Sequence, residues 1–324
     1  MVARVRPYPK PFLPVNDCVD LLRRRGMVID DLPRARDCLR RIGYYRLSAY
    51  WYPFRQIVSA DVAARRDEFV ENTRFSEVMD FYIFDKKLRQ HVSDVLERIE
   101  IAVRNAVIET LGSRSPYGHR EPAHFNARVI RPEGDSPSRF DRFLSAQDVA
   151  FSRSSEEFAK HFRSHYTGPA PIWIAAGRWD WGNVAFIYRG LQEPLRREIA
   201  ADFHPDLPAN TLESWLGALN EVRNACAHHS RLWNKPLTNS PSFRGGFPEF
   251  THVEGLGDPV ARDQSAKRLY GALLAARFLL RQLQPESRWH RRLIDLIDAQ
   301  TLPAAISETA AGFPAGWRGQ PVWA

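Results

Sequence analysis

FSEVMDFYIFDKKLRQHVSDVLERIEIAVRNAVIETL, residues 75–111, is the longest periodic stretch of the chain. Its apolar positions include Val78, Met79, Tyr82, Leu88, Val92, Val95, Leu96, Ile99, Val103, Ala106 and Ile108. They recur at three- and four-residue steps, the period of a helix with one face turned inward. The spacing predicts one long helix or two in succession, with Gly112 after the end. Glu100/Arg104 and Asp85/Arg89 stand four residues apart and predict ion pairs along that helix. Arg104 and Asn105 have a second reading, facing a groove.

The same period continues on both sides. Val15 to Arg25 predicts a helix stopped by Gly26, and Asp30/Asp31 predicts the cap of another that carries Leu32, Ala35 and Leu39 and ends at Gly43. The run from Tyr44 to Phe54 is dense in aromatics. Phe140 to Tyr166, Leu195 to Phe203, Gln264 to Leu283 and Trp289 to Ile297 all read as helical. Thr211 is placed as the cap of a helix with a clean apolar stripe: Leu212, Trp215, Leu216, Leu219, Val222 and Cys226. No alternating strand set emerges, so the expected class is all-α. The expected organisation is an N-terminal helical and aromatic region over 1–72 and a helical domain over 73–300, followed by a tail over 301–324. Polar, Pro/Gly-bearing loops are expected near 113–137 and 236–263.

Composition bounds the function. The 324 residues carry 46 Lys+Arg against 38 Asp+Glu, a net charge of +8, and a pI of about 9.6. An acidic partner fits that balance, nucleic acid being the commonest. Arginine bias from a GC-rich genome fits it too, and no run of five basic residues forms a tail. Three cysteines, Cys18, Cys38 and Cys226, make no CxxC pair and point to a reducing compartment. Met1 to Pro7 has no apolar core of a signal peptide, and Gly271 to Leu280 is too short to span a bilayer and is broken by Arg277. A cytoplasmic protein is expected.

No phosphate-binding glycine loop, nucleophile elbow or HExxH string is present. His161 and His165 stand four apart, but no third ligand or adjacent Glu accompanies them. The informative segment is Asn220-Glu221-Val222-Arg223-Asn224-Ala225-Cys226-Ala227-His228-His229-Ser230-Arg231-Leu232-Trp233-Asn234. Asn220, Asn224 and His228 follow one another at four-residue steps, along one strip off the apolar stripe. Arg223 and His228 point about 140° apart on an ideal helix. They meet only through the length of the arginine, a local end to the helix, or a second copy facing the first. Histidine moves protons near neutrality, and arginine offers a planar fork to phosphate oxygens. That equipment suits breaking RNA through its own 2′-hydroxyl. The other reading of the same residues is a helix end whose polar side chains satisfy the last carbonyls, and Arg-x4-His recurs often by chance. Tyr44, Tyr45, Arg46, Tyr50, Trp51 and Tyr52 have two readings as well, stacking on unpaired bases or fastening the first helices to the core.

Arg223-Asn224-Ala225-Cys226-Ala227-His228 resembles the Arg-Asn-x-x-x-His motif of HEPN-superfamily ribonucleases. The wider string RNACAHHSRLWN resembles abortive-infection phage-resistance proteins of the AbiD/AbiF type. Further likeness lies in Lys10-Pro11-Phe12-Leu13, Arg41 to Phe54, Phe84 to Arg89, Glu97 to Glu100, Pro171-Ile172-Trp173 and Gly312-Phe313-Pro314 with Trp317. Gly177 to Gly182 departs from the pattern, which calls for a Glu and a small-residue turn. The resemblance implies a HEPN-like helical bundle and endoribonuclease activity without metal or other cofactor. It implies a composite cleft in a homodimer, growth arrest during phage infection, and restraint by an RNA or protein antitoxin. Carried across, Arg223 and His228 are catalytic, and Asn224, His229 and Asn220 are supporting. Arg46, Tyr45, Arg104 and Arg231 are the candidates for holding RNA. Two other readings remain: a regulatory module that binds RNA without cutting it, and a metal-dependent hydrolase using His161, His165, His228 and His229.

Overall fold

The computed structural model describes residues 11–58, 65–243, 246–254, 262, 265–301 and 303–324. Met1 to Lys10 and Gln264 lie outside the described residues, as do 244, 245, 255–261 and 263 of the second expected loop. Among the described residues the regular structure is mostly helical, as the periodicity predicts. The chain divides into two compact units. One comprises residues 1–87 with 302–306, the other 88–301 with 307–324.

In the first unit, α1 (Val15–Arg24) packs on α2 (Leu32–Ile42). Asp31 caps α2 by accepting from the Arg34 N–H at 2.9 Å. Gly43 ends it at φ 93°, a conformation in which a Cβ would be strained, and the chain turns at once into α3 (Tyr44–Trp51). A short antiparallel pair follows, β1 (Arg55–Ile57) and β2 (Arg65–Phe69). Arg-Arg-Asp-Glu-Phe has no strand-like composition, which is why periodicity missed it. The pairing is braced from the side, where Arg65 donates to the carbonyls of Pro53 and Arg55 at 2.8 and 2.7 Å. The aromatic run is partly buried. Tyr50, Trp51 and Phe54 are buried, and the Tyr50 hydroxyl donates to Asp85 at 2.8 Å. Tyr45 stays 72% exposed.

Residues 75–112 form a single helix, α4 (Phe75–Gly112), with Gly112 as its last residue rather than the one beyond it. In the second unit the expected loop at 113–137 carries α5 (Ala127–Ile130), whose cap Asn126 donates to the carbonyls of Arg189 and Leu191 at 2.9 and 3.1 Å. The helical stretch from Phe140 is two pieces, α6 (Arg139–Ser152) and α7 (Glu157–His165). Next come α8 (Ile172–Ala175), α9 (Trp181–Gly190), α10 (Glu193–Ala201) and α11 (Ala209–Ala227). The last helices are α12 (Thr251–Glu254), α13 (Leu269–Leu283) and α14 (Trp289–Asp298). Thr211 does not cap α11. The helix starts two residues earlier, after Pro208, and Thr211 is buried inside it. The departure at Gly177 to Gly182 is accommodated locally. Asp180 caps α9 through the Asn183 N–H at 2.9 Å, and Trp181 donates to the Leu216 carbonyl of α11 at 2.9 Å.

The core of this unit centres on α11, packed against α9, α10 and α13. Trp215, Leu216, Leu219 and Val222 are all buried, as the stripe requires. Among the described residues no helix is long and apolar enough to cross a membrane.

His119 shows what this packing does to a titratable group. It is buried, with Trp179 at 5.8 Å between ring centroids, and its Nδ1 has no partner among the described residues. Burial, with Arg120 adding to it, holds its pKa down to about 4 from 6.5. The folded state therefore binds fewer protons than the unfolded chain between those values. The stability it protects is complete above pH 6.5, falls with pH down to about 4 and is level below that. The loss amounts to roughly 3 kcal/mol. Thermal melts against pH are expected to show a shallower acid decline for His119→Gln than for the wild type. Parallel declines would refute it.

Candidate functional site

The candidate residues cluster where α11 ends. Asn220, Arg223 and Asn224 are half-buried on its last turns, and His228 and His229 are exposed just beyond Ala227. The end is built as a Schellman turn. The His229 N–H bonds the Cys226 carbonyl at 3.1 Å and the Ser230 N–H bonds the Ala225 carbonyl at 2.8 Å. His229 therefore occupies the left-handed position that usually takes glycine, at φ 55°. Histidine tolerates this better than branched residues do, at a cost of about 1–2 kcal/mol. His229→Gly should keep stability within about 1 kcal/mol of the parent, while His229→Val should lose about 1–2 kcal/mol. Urea unfolding of the two variants measures this, and equal stabilities would refute it.

Beyond the turn, arginines fasten the chain. Arg89 donates to the Ser230 carbonyl at 3.3 Å, and Arg231 to the Asn234 carbonyl at 3.3 Å. Arg268 donates to Asn234 Oδ1 at 2.7 Å, and burial lowers its pKa. Neither Arg89 nor Arg268 was marked by the motif. Their roles come from elements distant in sequence.

Arg223 faces the other way, toward α4. Its Nε lies 3.9 Å from Glu100 Oε2, and its Nη1 contacts Asn224 Oδ1 at 3.5 Å. Glu100 also accepts from Arg104 at 2.5 Å, the expected ion pair. Glu100 thus sits between two guanidiniums. Burial raises its pKa, and Arg104 and then Arg223 pull it back. The Arg104 Nε is buried with no hydrogen-bond partner among the described residues. Sequence reading placed Glu100 on the helix as a partner of Arg104. Its place beside Arg223 requires α4 to run past α11.

No hydrogen bond or ion pair among the described residues joins Arg223 to His228. The helical period predicts this, since the two leave α11 in directions about 140° apart. One chain therefore presents a guanidinium near a carboxylate and, separately, an exposed imidazole. Tyr45 and Arg46 are exposed on α3, in the first unit.

His161 and His165 stack at 4.3 Å between centroids, and the His165 Nδ1 lies 2.9 Å from the His161 carbonyl. Among the described residues no three His, Cys, Asp or Glu side chains are grouped to hold a metal ion.

Comparison with curated proteins and with solved structures finds no match. A family model described as Abi-like protein matches residues 37–234, more than half of the chain. The match spans α3 through the end of α11 and takes in Arg223, Asn224, His228 and the arginine-fastened turn after them. The chain belongs to the Abi-like protein family, a family of abortive-infection proteins that act in defence against phage.

Proposed function

We propose that the chain is an endoribonuclease of the HEPN type that arrests growth during phage infection by cutting RNA. The observation that carries the reading is the arrangement at the end of α11. Arg223 lies 3.9 Å from the half-buried Glu100, and His228 stands exposed beyond the last turn. The ribose 2′-oxygen attacks the adjacent phosphorus as His228 takes its proton. The bond from phosphorus to the 5′-oxygen breaks, the departing oxygen takes up a proton, and a 2′,3′-cyclic phosphate is left. Arg223 carries the charge that builds on the phosphorane oxygens. Asn224 and Asn220 orient the groups on the same strip, and Arg104 and Arg231 draw in the strand. His228 fits the proton-carrying role better than His229, because it lies on the strip of Asn220 and Asn224.

Because Arg223 and His228 diverge on one helix, the reading calls for a homodimer in which two α11 ends face each other. Each copy then supplies part of one cleft. An antitoxin, RNA or protein, would silence the site by covering that face. The protein would act in the cytoplasm, where the RNA is, and needs no metal. Purified protein is expected to cleave single-stranded RNA with EDTA present.

The separation of the two residues also favours a second reading, in which the same surface binds RNA without cutting it. Salt-sensitive RNA binding by a dimer that leaves the RNA intact would select that reading.

A further inference from the structure

The polar strip of α11 does not stop at the candidate site. At about 100° per residue, Asn210, Ser214, Gly217, Glu221, Asn224 and His228 all fall in one sector of the helix, within roughly 80°. From Gly217 to His228 is about 16 Å along the axis. At the far end the strip forms the floor of an open crevice of about 460 Å³. Arg128 and Arg189 line it, as do Thr238, Asn239 and Ser240.

The crevice is built from rigid parts. The Thr238–Ser240 wall is pinned by Glu221, whose carboxylate accepts the N–H groups of Thr238 and Asn239 at 2.9 to 3.0 Å. Ser214 accepts from the Ser242 N–H at 2.9 Å, which ties the same loop to α11. Asn126 bonds the carbonyls of Arg189 and Leu191, so the backbone of α5, which carries Arg128, is tied to the end of α9, which carries Arg189. Both arginines are exposed. Glu213, the acid in this crevice, is engaged by the buried Arg196 and lies 3.3 Å from Arg189. Apart from the Glu213 carboxylate, which is paired with Arg196 and Arg189, the lining is mostly hydroxyls, amides and guanidiniums, which suits a sugar–phosphate chain better than an apolar molecule.

We propose that this crevice is a second phosphate-binding site, which takes the backbone of single-stranded RNA running along α11 toward His228. The proposal rests on the reading of the α11 end as an RNA site. Arg128 and Arg189 grip phosphates several nucleotides away from the bond to be cut. Asn210, whose Oδ1 accepts from Arg196, and Asn239, whose Nδ2 donates to Glu221, each keep one amide atom for the riboses and bases between. The site contributes affinity and register, and no proton transfer.

The test uses the full chain and a labelled 2′-O-methyl oligouridylate, whose blocked 2′-oxygen prevents cleavage. The variant Arg128→Glu/Arg189→Glu is compared with Arg291→Glu/Arg292→Glu, an equal charge reversal at exposed positions elsewhere. Fluorescence anisotropy across a salt series is expected to show about tenfold or greater loss of affinity for the crevice variant. The slope of log K against log salt should flatten by about 1.4, the value for two single-strand phosphate contacts. Equal losses for both variants would overturn the proposal, because only bulk charge would then matter. So would displacement of the oligomer by uridine monophosphate as effective, per phosphate, as by unlabelled oligomer. Displacement by polyglutamate at the same concentrations would assign the crevice to acidic protein and overturn it too. Cleavage of unmodified RNA by the same preparations separates the two readings. Loss of binding in the crevice variant, together with a wild type that binds RNA and never cleaves it, keeps the strand site and removes the nuclease. Cleavage that depends on Arg223 and His228, with unchanged binding in the crevice variant, does the reverse.

Discussion

Replacing Arg223 or His228 by alanine is expected to lower cleavage of single-stranded RNA by about 10³-fold. General acid–base catalysis is worth about 10²–10⁴, and removing one charge-stabilising donor about 10²–10³. The two variants should differ in kind. His228→Ala removes the proton carrier, so the loss should fall in kcat with KM little changed. Arg223→Ala removes a group that also meets the ground-state phosphate, and it leaves Glu100 with Arg104 alone, so KM should rise as well. Both residues lie at the surface end of α11 and neither is in the apolar stripe, so melting temperatures should stay close to the parent's. Mixing the two inactive variants gives a further readout of the composite cleft. If each cleft takes Arg223 from one copy and His228 from the other, a mixed dimer carries one intact cleft and part of the activity returns. Full activity in His228→Ala with the fold preserved would remove His228 from the mechanism. Absence of cleavage by the wild type would leave the RNA-binding module.

Trp215→Ala should have the largest effect on stability, a loss of about 3–5 kcal/mol. Trp215 is fully buried on α11, with Phe250 and Phe278 at 5.6 and 5.4 Å between ring centroids. Its Nε1 donates to the Ser242 carbonyl at 2.7 Å. Alanine opens a cavity among the aromatics and also strands that carbonyl. Trp215→Phe keeps most of the apolar area and loses the bond, so it should cost about 1–3 kcal/mol. Denaturant unfolding of both variants measures the difference. A Phe variant as unstable as the Ala variant would show that the hydrogen bond, not the packed volume, dominates. Because Trp215 also ties the 238–242 loop to α11, the loss should reach RNA binding at the crevice before it reaches the turn at His228.

Much of the fold is legible from spacing alone. The stripe from Leu212 to Cys226 and the longer one in α4 announce buried helix faces, because apolar area lost from water outweighs local preference. Asp31 and Gly43 mark the start and stop of α2 for reasons internal to the backbone. The reading failed where neighbours in space decide. Thr211 has the side chain of a cap, but packing around Ala209 and Leu212 carries the helix past it. The pair β1 and β2 has no strand composition and is braced by Arg65 reaching two carbonyls. Residues 113–137 look like a loop because their own bonds close only short turns, while Asn126 and His124 tie the segment to the end of α9.

The candidate site divides in the same way. Arg223, Asn224 and His228 are visible as a motif, and the 3.6-residue period already says that Arg223 and His228 diverge. Helical geometry depends on order along the chain, so one strand of letters suffices for it. Glu100 beside Arg223, the arginines that fasten the turn after His229, and the crevice walled by α5, α9 and the 238–240 loop join residues far apart in order. Those contacts exist only after burial of the apolar faces has brought the helices side by side.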